Sequence, residues 1–575
     1  MAKNEIKAVA SSDDAEIAWK YNSKIKDCWG FAILRQKKGE STAASDWVKS
    51  SVGFNDDPHK DFEYHDTTMW PIQKFNWTDF LVNEGDTVRY KVIPMTRNNG
   101  SLEKDEAKAT DWSNWVDVGA SAATEGFFNR GAVASQFVSR RLANLPAKEK
   151  QKSLDEHLDD ENSPLRKFMG GTLLDAVYSI LEEPKKNGNS NVHLFTALYE
   201  LNDIVLIKKL NALGKRAHVI LGNGAFKKPS KKDPGEPDPQ KVNAKKLTKV
   251  DLKRRIVKGN HFAHNKFVVL AKKAGNEFRP YKVLTGSTNW THNGLFKQAN
   301  NAVIIEDASV AKYYLDEWHK LVEDCDKKGN GLYAKPFKAF NATVKKNTNG
   351  KVRTWFDPTS KEGDLEDAIK LIKGAKQGIL FLMFQPGNME TARLYKEIFK
   401  RTKEPNAPFI SGVINIDPGG KKTPSITFVN KGKEEYGDMS IVTPSNIKKD
   451  FGFWKVELAR PTVTIHSKAI VIDPFGSKPV VITGSNNMGE KASQSNDDNL
   501  NIILDNKELA QSYAVHMQSV YHHYRWRFYR SKVTDKNGNE IDNKPKWKGL
   551  VRNAEWQGWY NSGLNKKEKD FWFGK

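Results

Sequence analysis

The sequence predicts an α/β protein: two pseudo-twofold-related lobes with mixed β-sheets flanked by helices, preceded by an all-β sandwich. Three observations carry that expectation. Short alternating apolar runs fill residues 1–122, helix and strand patterns alternate from residue 126, and one ordered set of elements occurs twice. At 575 residues the chain exceeds a single core, and 38% hydrophobic with 11% aromatic residues suffice to pack several.

In the first region Ile17, Trp19 and Tyr21, then Trp29, Phe31 and Ile33, then Val88, Tyr90 and Val92 alternate with polar or small residues. A strand sends successive side chains to opposite faces, so this spacing predicts half-buried antiparallel strands joined by turns. The stretch GDTVRYKVIP resembles a late strand of a fibronectin type III-like domain. The region shows no catalytic constellation, which suits a docking or spacer module.

Further along, GGTLLDAVYSILEEPKK places Leu173, Leu174, Val177 and Leu181 on one helix face, and the strand NVHLFTALYEL, a helix near 203–214 and the strand RAHVILGNG follow. The second round brings a helix at 364–373, with Leu365, Ala368, Ile369 and Ile372 on one face, the strand GILFLMF, a helix near 390–401 and the strand FISGVINI. Each round closes on a matched run, HFAHNKFVVLA at 261–271 and TVTIHSKAIVID at 462–473, and His264 and His466 stand 202 residues apart. That period is too long for a solenoid and marks a duplication, with lobes over 126–330 and 331–575.

In each run a histidine and a lysine, His264 with Lys266 and His466 with Lys468, fall on one face of an apolar strand. Lysine is seldom buried without a partner, so one such pair would be a solvated edge, but two point to the floor of an anion-binding cleft. Downstream come VLTGSTNWTHNG and VITGSNNMGEKA, in which Gly286, Ser287 and Asn289 match Gly484, Ser485 and Asn487. Glycine lets backbone approach a ligand closely, while Ser and Asn offer neutral hydrogen bonds. Asn300 and Asp498 then occupy comparable places.

These residues resemble the phospholipase D superfamily, whose signature is HxKxxxxD followed by GSxN and then a carboxylate. The resemblance spans roughly residues 126 to 530. The second copy matches throughout with His466, Lys468, Asp473, Gly484, Ser485, Asn487 and Asp498; the first has Ala271 in place of the Asp and Asn300 in place of the acid. Strand parity turns Asp473 away from His466 and Lys468, so it should anchor structure, and Ala271 need not disable its lobe. The tyrosyl-DNA phosphodiesterase branch of the family also lacks this Asp. A decayed first lobe is the alternative. The resemblance implies His264 as nucleophile and His466 as acid, although the residues alone treat the two as near equivalent.

The chemistry follows from what a phosphodiester needs: neutralised oxygens, a nucleophile on one side and an acid on the other. Two lobes meeting about a pseudo-twofold would give Lys266 and Lys468 as point charges, Asn289 and Asn487 as donors, and Ser287 and Ser485 as phosphate-binding or supporting hydroxyls. One histidine, held neutral, attacks phosphorus; the other, held protonated, protonates the leaving oxygen and then activates water. Asp498 orients one imidazole and sets its tautomer. No metal and no cofactor is called for. His261 has the opposite parity and reads as structural.

Basic residues number 92 against 70 acidic, a net charge of +22, which favours polyanionic partners, nucleic acid before an anionic membrane surface. The segment 227–258 carries twelve Lys or Arg against four Asp or Glu, with Lys245, Lys246, Lys253, Arg254 and Arg255 as candidate nucleic-acid contacts; a solvated loop is the alternative. Cys28 and Cys325 are the only cysteines, so no disulfide scaffold or zinc site is expected. The absence of a signal peptide or apolar span places the protein in the cytoplasm unless a dedicated system exports it. The aromatic and basic run VYHHYRWRFYR, with Trp547, Trp556, Trp559 and Trp572, reads as C-terminal packing more readily than as a base-stacking surface. The expectation is a metal-independent nuclease acting through a phosphohistidine, in a chain that could be monomer or dimer. A phospholipase, a phosphoryl transferase and an inactive polyanion-binding scaffold are the alternatives.

Overall fold

The computed structural model describes residues 4–575 except 55, 58–62, 99, 120–121, 132–146, 227–234, 258–260, 326–334, 342–343, 360, 417, 419–440, 443–464 and 534–548. Trp547 and parts of the two segments singled out above, 227–234, 258 and 462–464, therefore lie outside the described residues, as do the side chains of 526–533.

The N-terminal region is all β. One antiparallel sheet pairs Glu5–Ala10, Ala15–Lys20 and Asn76–Asp79; the other orders Val116–Asp117, Thr87–Asn98, Cys28–Lys37 and Asp46–Trp47. Trp19, Phe31, Ile33, Tyr90 and Val92 fill the space between them, as the alternation implies. Trp29 departs from it. A bulge between Cys28 and Gly30 reverses the parity, so Cys28 joins this core while Trp29 turns to a separate cluster with Phe54, Trp70 and Leu550.

Numbering the strands of the two lobes, the first sheet comprises β1 (Thr124–Phe128), β2 (Val192–Leu198), β3 (Ala217–Gly222), β4 (Asp251–Arg255), β5 (Lys266–Ala274), β6 (Glu277–Gly286) and β7 (Asn301–Ile305). The second comprises β8 (Val352–Phe356), β9 (Gly378–Met383), β10 (Phe409–Ile414), β11 (Ile441–Val442), β12 (Ala469–Ile472), β13 (Val480–Gly484) and β14 (Asn499–Leu504). The strand orders are β1-β7-β6-β5-β2-β3-β4 and β8-β14-β13-β12-β9-β10-β11, the same path twice. In each, the second, third and fourth strands run parallel and all other neighbours antiparallel, so the sheets are mixed.

Strand parity sorts the core. On β5, Phe267, Val269 and Ala271 face a central cluster shared by both lobes, while Val268 and Leu270 face the outer layer with α1 (Pro164–Glu182) and α2 (Ile204–Leu213). On β12, Ala469 and Val471 join the same central cluster, and Ile470 and Ile472 pack outward with α3 (Gly363–Gly374) and α4 (Arg393–Arg401). The expected helices and strands are thus present, and none of the described helices is long and apolar enough to cross a membrane.

The C-terminal residues reach back over the molecule. Trp556 enters the N-terminal core beside Phe31 and Phe75, and Phe571 and Trp572 pack on Phe409 and Phe475 of the second lobe. Tyr521 and Tyr524 are buried in the central cluster, so the described part of the aromatic run serves packing; Trp559 is exposed.

Candidate active site

The two histidines stand just ahead of their strands. β5 begins at Lys266, and ahead of β12 Ile465 forms an isolated bridge to Ala299. Lys266 Nζ donates to His264 O at 2.6 Å and Lys468 Nζ to His466 O at 2.7 Å, so each ammonium occupies a carbonyl that a regular ladder would use. The expectation of a pair on one regular strand is corrected accordingly.

His264 and His466 line a single cavity of about 430 Å³, together with Asn289 and Asn487. Each imidazole has an aromatic neighbour from the end of a central strand, Tyr199 at 4.8 Å from His264 and Phe384 at 4.8 Å from His466. The same rings lie 5.0 Å from the ammonium groups of Lys266 and Lys468, close enough for cation–π attraction.

The orienting groups are exchanged between lobes. His264 of the first lobe donates from Nδ1 to Asp498 Oδ1 of the second at 2.7 Å. His466 of the second donates from Nδ1 to Asn300 Oδ1 of the first at 3.0 Å. The serines serve these orienters: Ser485 Oγ donates to Asp498 Oδ1 at 2.6 Å and Ser287 Oγ to Asn300 Oδ1 at 2.7 Å. Both serines are fully buried, and these bonds give them the supporting half of the role expected of them. Asn300 thus takes, toward His466, the place that Asp498 takes toward His264.

The glycines act differently from the expectation. A Cβ on Gly286 would stand 2.3 Å from Asn301 O, and one on Gly484 2.2 Å from Asn499 O. Their bareness admits the adjacent strand, and it is this approach that brings Asn300 and Asp498 to the histidines. Behind them a second exchanged layer closes the interface: Thr285 Oγ1 donates to Asn499 Oδ1 at 2.8 Å, and Asn301 Nδ2 to Thr483 Oγ1 at 2.7 Å.

Burial and mutual repulsion govern the protonation states. Burial first, then the nearby lysines, outweigh Asp498 and lower the His264 pKa to about 4. Burial followed by Lys468, Lys266 and His264 pushes His466 well below its ordinary value. Burial lowers Lys266 to about 7 against the pull of Asp498 and Glu200, and burial with Lys266 carries Lys468 well down. Burial would raise Asp498, but His264, Lys266 and Ser485 hold it below the ordinary carboxylate range. The protein's own groups therefore favour the neutral form of both imidazoles.

Asp473 caps the opposite end of its strand. Its carboxylate accepts the backbone N–H groups of Lys376, Gln377 and Gly378 at 2.7–3.1 Å, an anchoring role that agrees with its parity. Ala271 is fully buried in the central cluster. His261 Nδ1 donates to Ser495 O at 2.7 Å.

The basic segment divides. Lys245 and Lys246 are exposed, Lys253 is half-buried, and Arg254 is tied to Asp238 at 2.7 Å. Arg255 is buried, bonded to Asp497 and 3.1 Å from Asp324. It cannot meet a polyanion and is withdrawn from that set, because the second lobe's acid next to Asp498 claims its charge.

Comparison with known proteins bears on the first lobe. Residues 187–322 match the family model described as cardiolipin synthase, PLD-like domain. A phospholipase D of Rickettsia conorii (strain ATCC VR-613 / Malish 7) is 27% identical over 128 residues, which are 22% of this chain and 54% of that protein. Among solved structures, phosphatidylserine synthase of Haemophilus influenzae Rd KW20 superposes with a TM-score of 0.40 at 12% identity, over 60% of this chain and 84% of that one. The phospholipase D family member Nuc of Salmonella typhimurium gives 0.20 at 18% identity, over 30% and 94%.

Proposed function

From the premise that this chain carries a phospholipase D-like domain, we propose that it is a phosphodiesterase that hydrolyses nucleic acid through a covalent phosphohistidine. The observation that carries the reading is the pair of imidazoles over one cavity, each with Nδ1 engaged by the opposite lobe. With Nδ1–H committed to Asp498, the Nε2 lone pair of His264 is free to attack phosphorus. The bound diester's negative charge offsets Lys266 and Lys468 and favours protonation of His466, which gives its Nε2 proton to the leaving oxygen. His466 then takes a proton from water, the hydroxide oxygen bonds to phosphorus, and the P–N bond breaks to restore His264. The lysine and asparagine side chains supply the charge stabilisation, so no metal enters the scheme.

Nucleic acid is favoured by the net charge of +22, by the exposed Lys241, Lys245, Lys246 and Lys249, and by Tyr199, Phe262 and Phe384 in the cavity wall, where bases can stack. The Rickettsia relative's name supports phospholipid as a second reading. The N-terminal sandwich is read as a docking or spacer module and the enzyme as a cytoplasmic one.

The test is hydrolysis of labelled DNA, RNA and phospholipid vesicles in excess chelator, with His264→Ala and His466→Ala alongside. Cleavage of nucleic acid should persist, each variant should lose activity by several orders of magnitude, and only His466→Ala should accumulate phosphoprotein on a substrate with a good leaving group. Loss of activity in chelator with rescue by magnesium would overturn the mechanism, and cleavage of vesicles alone would overturn the substrate.

A further inference from the structure

The cavity walls match pair by pair across the pseudo-twofold: Tyr199 with Phe384, His264 with His466, Asn289 with Asn487. One pair breaks the match in charge. Glu200 follows Tyr199 where Gln385 follows Phe384, and both line the cavity. A carboxylate in the wall of an anion-binding cavity repels its ligand's phosphate, so its presence needs an offsetting contact.

The contacts of Glu200 define what it can still accept. Oε1 accepts Ala225 N–H at 3.1 Å and Oε2 accepts Asn289 Nδ2–H at 2.8 Å. A carboxylate has about four acceptor positions, so two remain beyond these bonds, and Lys266 is the cation whose charge bears on it. A second, independent observation points the same way. Asn289 is 8% exposed, and its Oδ1, like that of its counterpart Asn487, is buried without a hydrogen-bond partner among the described residues, but only the Asn289 amide is held by a carboxylate. Glu200 fixes that amide so its oxygen is an acceptor awaiting a donor, beside the position of the phosphate.

We propose that Glu200 and Asn289 form an acceptor subsite for a hydroxyl next to the scissile phosphate, so that the site prefers a ribonucleotide chain to a deoxyribonucleotide one. The inference rests on the nuclease reading given above. A hydroxyl suits the subsite better than an ammonium group, because Lys266 stands close enough to shift and be shifted by Glu200 and would repel a second cation. The ribose 2′-hydroxyl is the donor that an RNA chain carries beside its phosphate, and a DNA chain lacks it. Without that donor the buried acceptors stay unpaired, which is how a polar pocket rejects an analogue missing one hydroxyl.

The experiment compares single-stranded RNA, DNA and 2′-O-methyl RNA of one sequence, cleaved by the full chain, with phosphatidylethanolamine vesicles as a further substrate. RNA should exceed both other oligonucleotides by roughly tenfold or more in kcat/KM. Glu200→Ala should bring the ratio of RNA to DNA cleavage close to one, whatever it does to the absolute rates through Asn289, and Glu200→Gln, which keeps the shape and one acceptor oxygen, should retain part of it. Equal cleavage of RNA and DNA by the unaltered chain would overturn the subsite while leaving the nuclease reading intact. An unchanged ratio in Glu200→Ala would do the same. Cleavage of the vesicles with neither nucleic acid touched would overturn both.

Discussion

At Lys266 the cost of burying two lysines and two histidines close together becomes measurable. Its pKa of about 7 lies far below the ordinary 10.5, so between those values the unfolded chain holds a proton that the folded one has lost. The group's destabilising contribution is fully present below pH 7 and fades as pH climbs toward 10.5, where both states are neutral. An oxyanion between the lysines reverses the shift, so anion binding above pH 7 takes up a proton and weakens as pH rises. Sulfate titrations by calorimetry at about pH 6, 7.5 and 9, in buffers of different ionisation heat, should show falling affinity and net proton uptake. Affinity independent of pH would contradict the lowered lysine.

The candidate site residues were legible in the sequence because duplication repeated them: His264, Lys266 and Asn289 reappear as His466, Lys468 and Asn487, and the histidines and asparagines line one cavity. Three features were hidden. Asn300 looked like a lost acid because an amide and a carboxylate orient an imidazole through the same oxygen geometry. Glu200 looked like an ordinary strand end, and Arg255 like one more charge in a basic run, because the setting of a single residue depends on partners far along the chain, 89 positions away for Glu200 and 242 for Arg255.

Among the elements, the strands that follow the two histidines end differently, and the difference predicts how each tolerates change. β12 stops at Ile472 and hands over to Asp473, whose carboxylate collects backbone N–H groups at the start of β9. Asp473→Ala should cost about 2–3 kcal/mol in denaturant unfolding and leave kcat/KM of the folded fraction nearly unchanged. β5 instead continues past the equivalent position as the first arm of a hairpin, with Ala271 packed in the shared core. Ala271→Asp should therefore destabilise by roughly 3 kcal/mol or more, since it buries an unpaired carboxylate. A gain in turnover from that substitution would contradict the parity of the strand.

The edge strand β4 shows the same principle with opposite sign. Arg255→Ala leaves Asp497 and Asp324 buried without their guanidinium, and should cost about 3–5 kcal/mol. Because Asp497 precedes Asp498, activity should fall with stability. Lys245→Ala with Lys246→Ala should spare stability and reduce the salt dependence of nucleic-acid binding by up to about two charges. An Arg255→Ala chain of normal stability with a flattened salt slope would restore the residue to the binding surface.

At the level of the whole molecule, the duplication was readable as a matched order of helices, strands and motifs, and the two sheets do follow one path. The way they meet was not, because period and parity describe each lobe alone, whereas the interface depends on which strand ends come together. The tail was equally hidden: Trp556 lies more than 400 residues from the sandwich it completes, donating from Nε1 to Cys28 O at 3.0 Å. Trp556→Ala should lower the sandwich's stability by about 3–5 kcal/mol, as judged by a low-temperature unfolding transition that leaves hydrolysis intact. Loss of hydrolysis in step with that transition would mean that the sandwich and the lobes unfold as one unit.

The exchanged orienters also impose an order on synthesis. When the first lobe leaves the ribosome it carries His264 and Lys266, but Asp498, which fixes the His264 tautomer, is translated more than 200 residues later. His466 in turn finds Asn300 already made and waiting. A chain cut short before Asp498 thus holds a His264 imidazole free to adopt either tautomer, with no carboxylate to fix it. Under the proposed mechanism, hydrolytic power would arrive only with the last strand of the second sheet, after both halves of the exchange have been made.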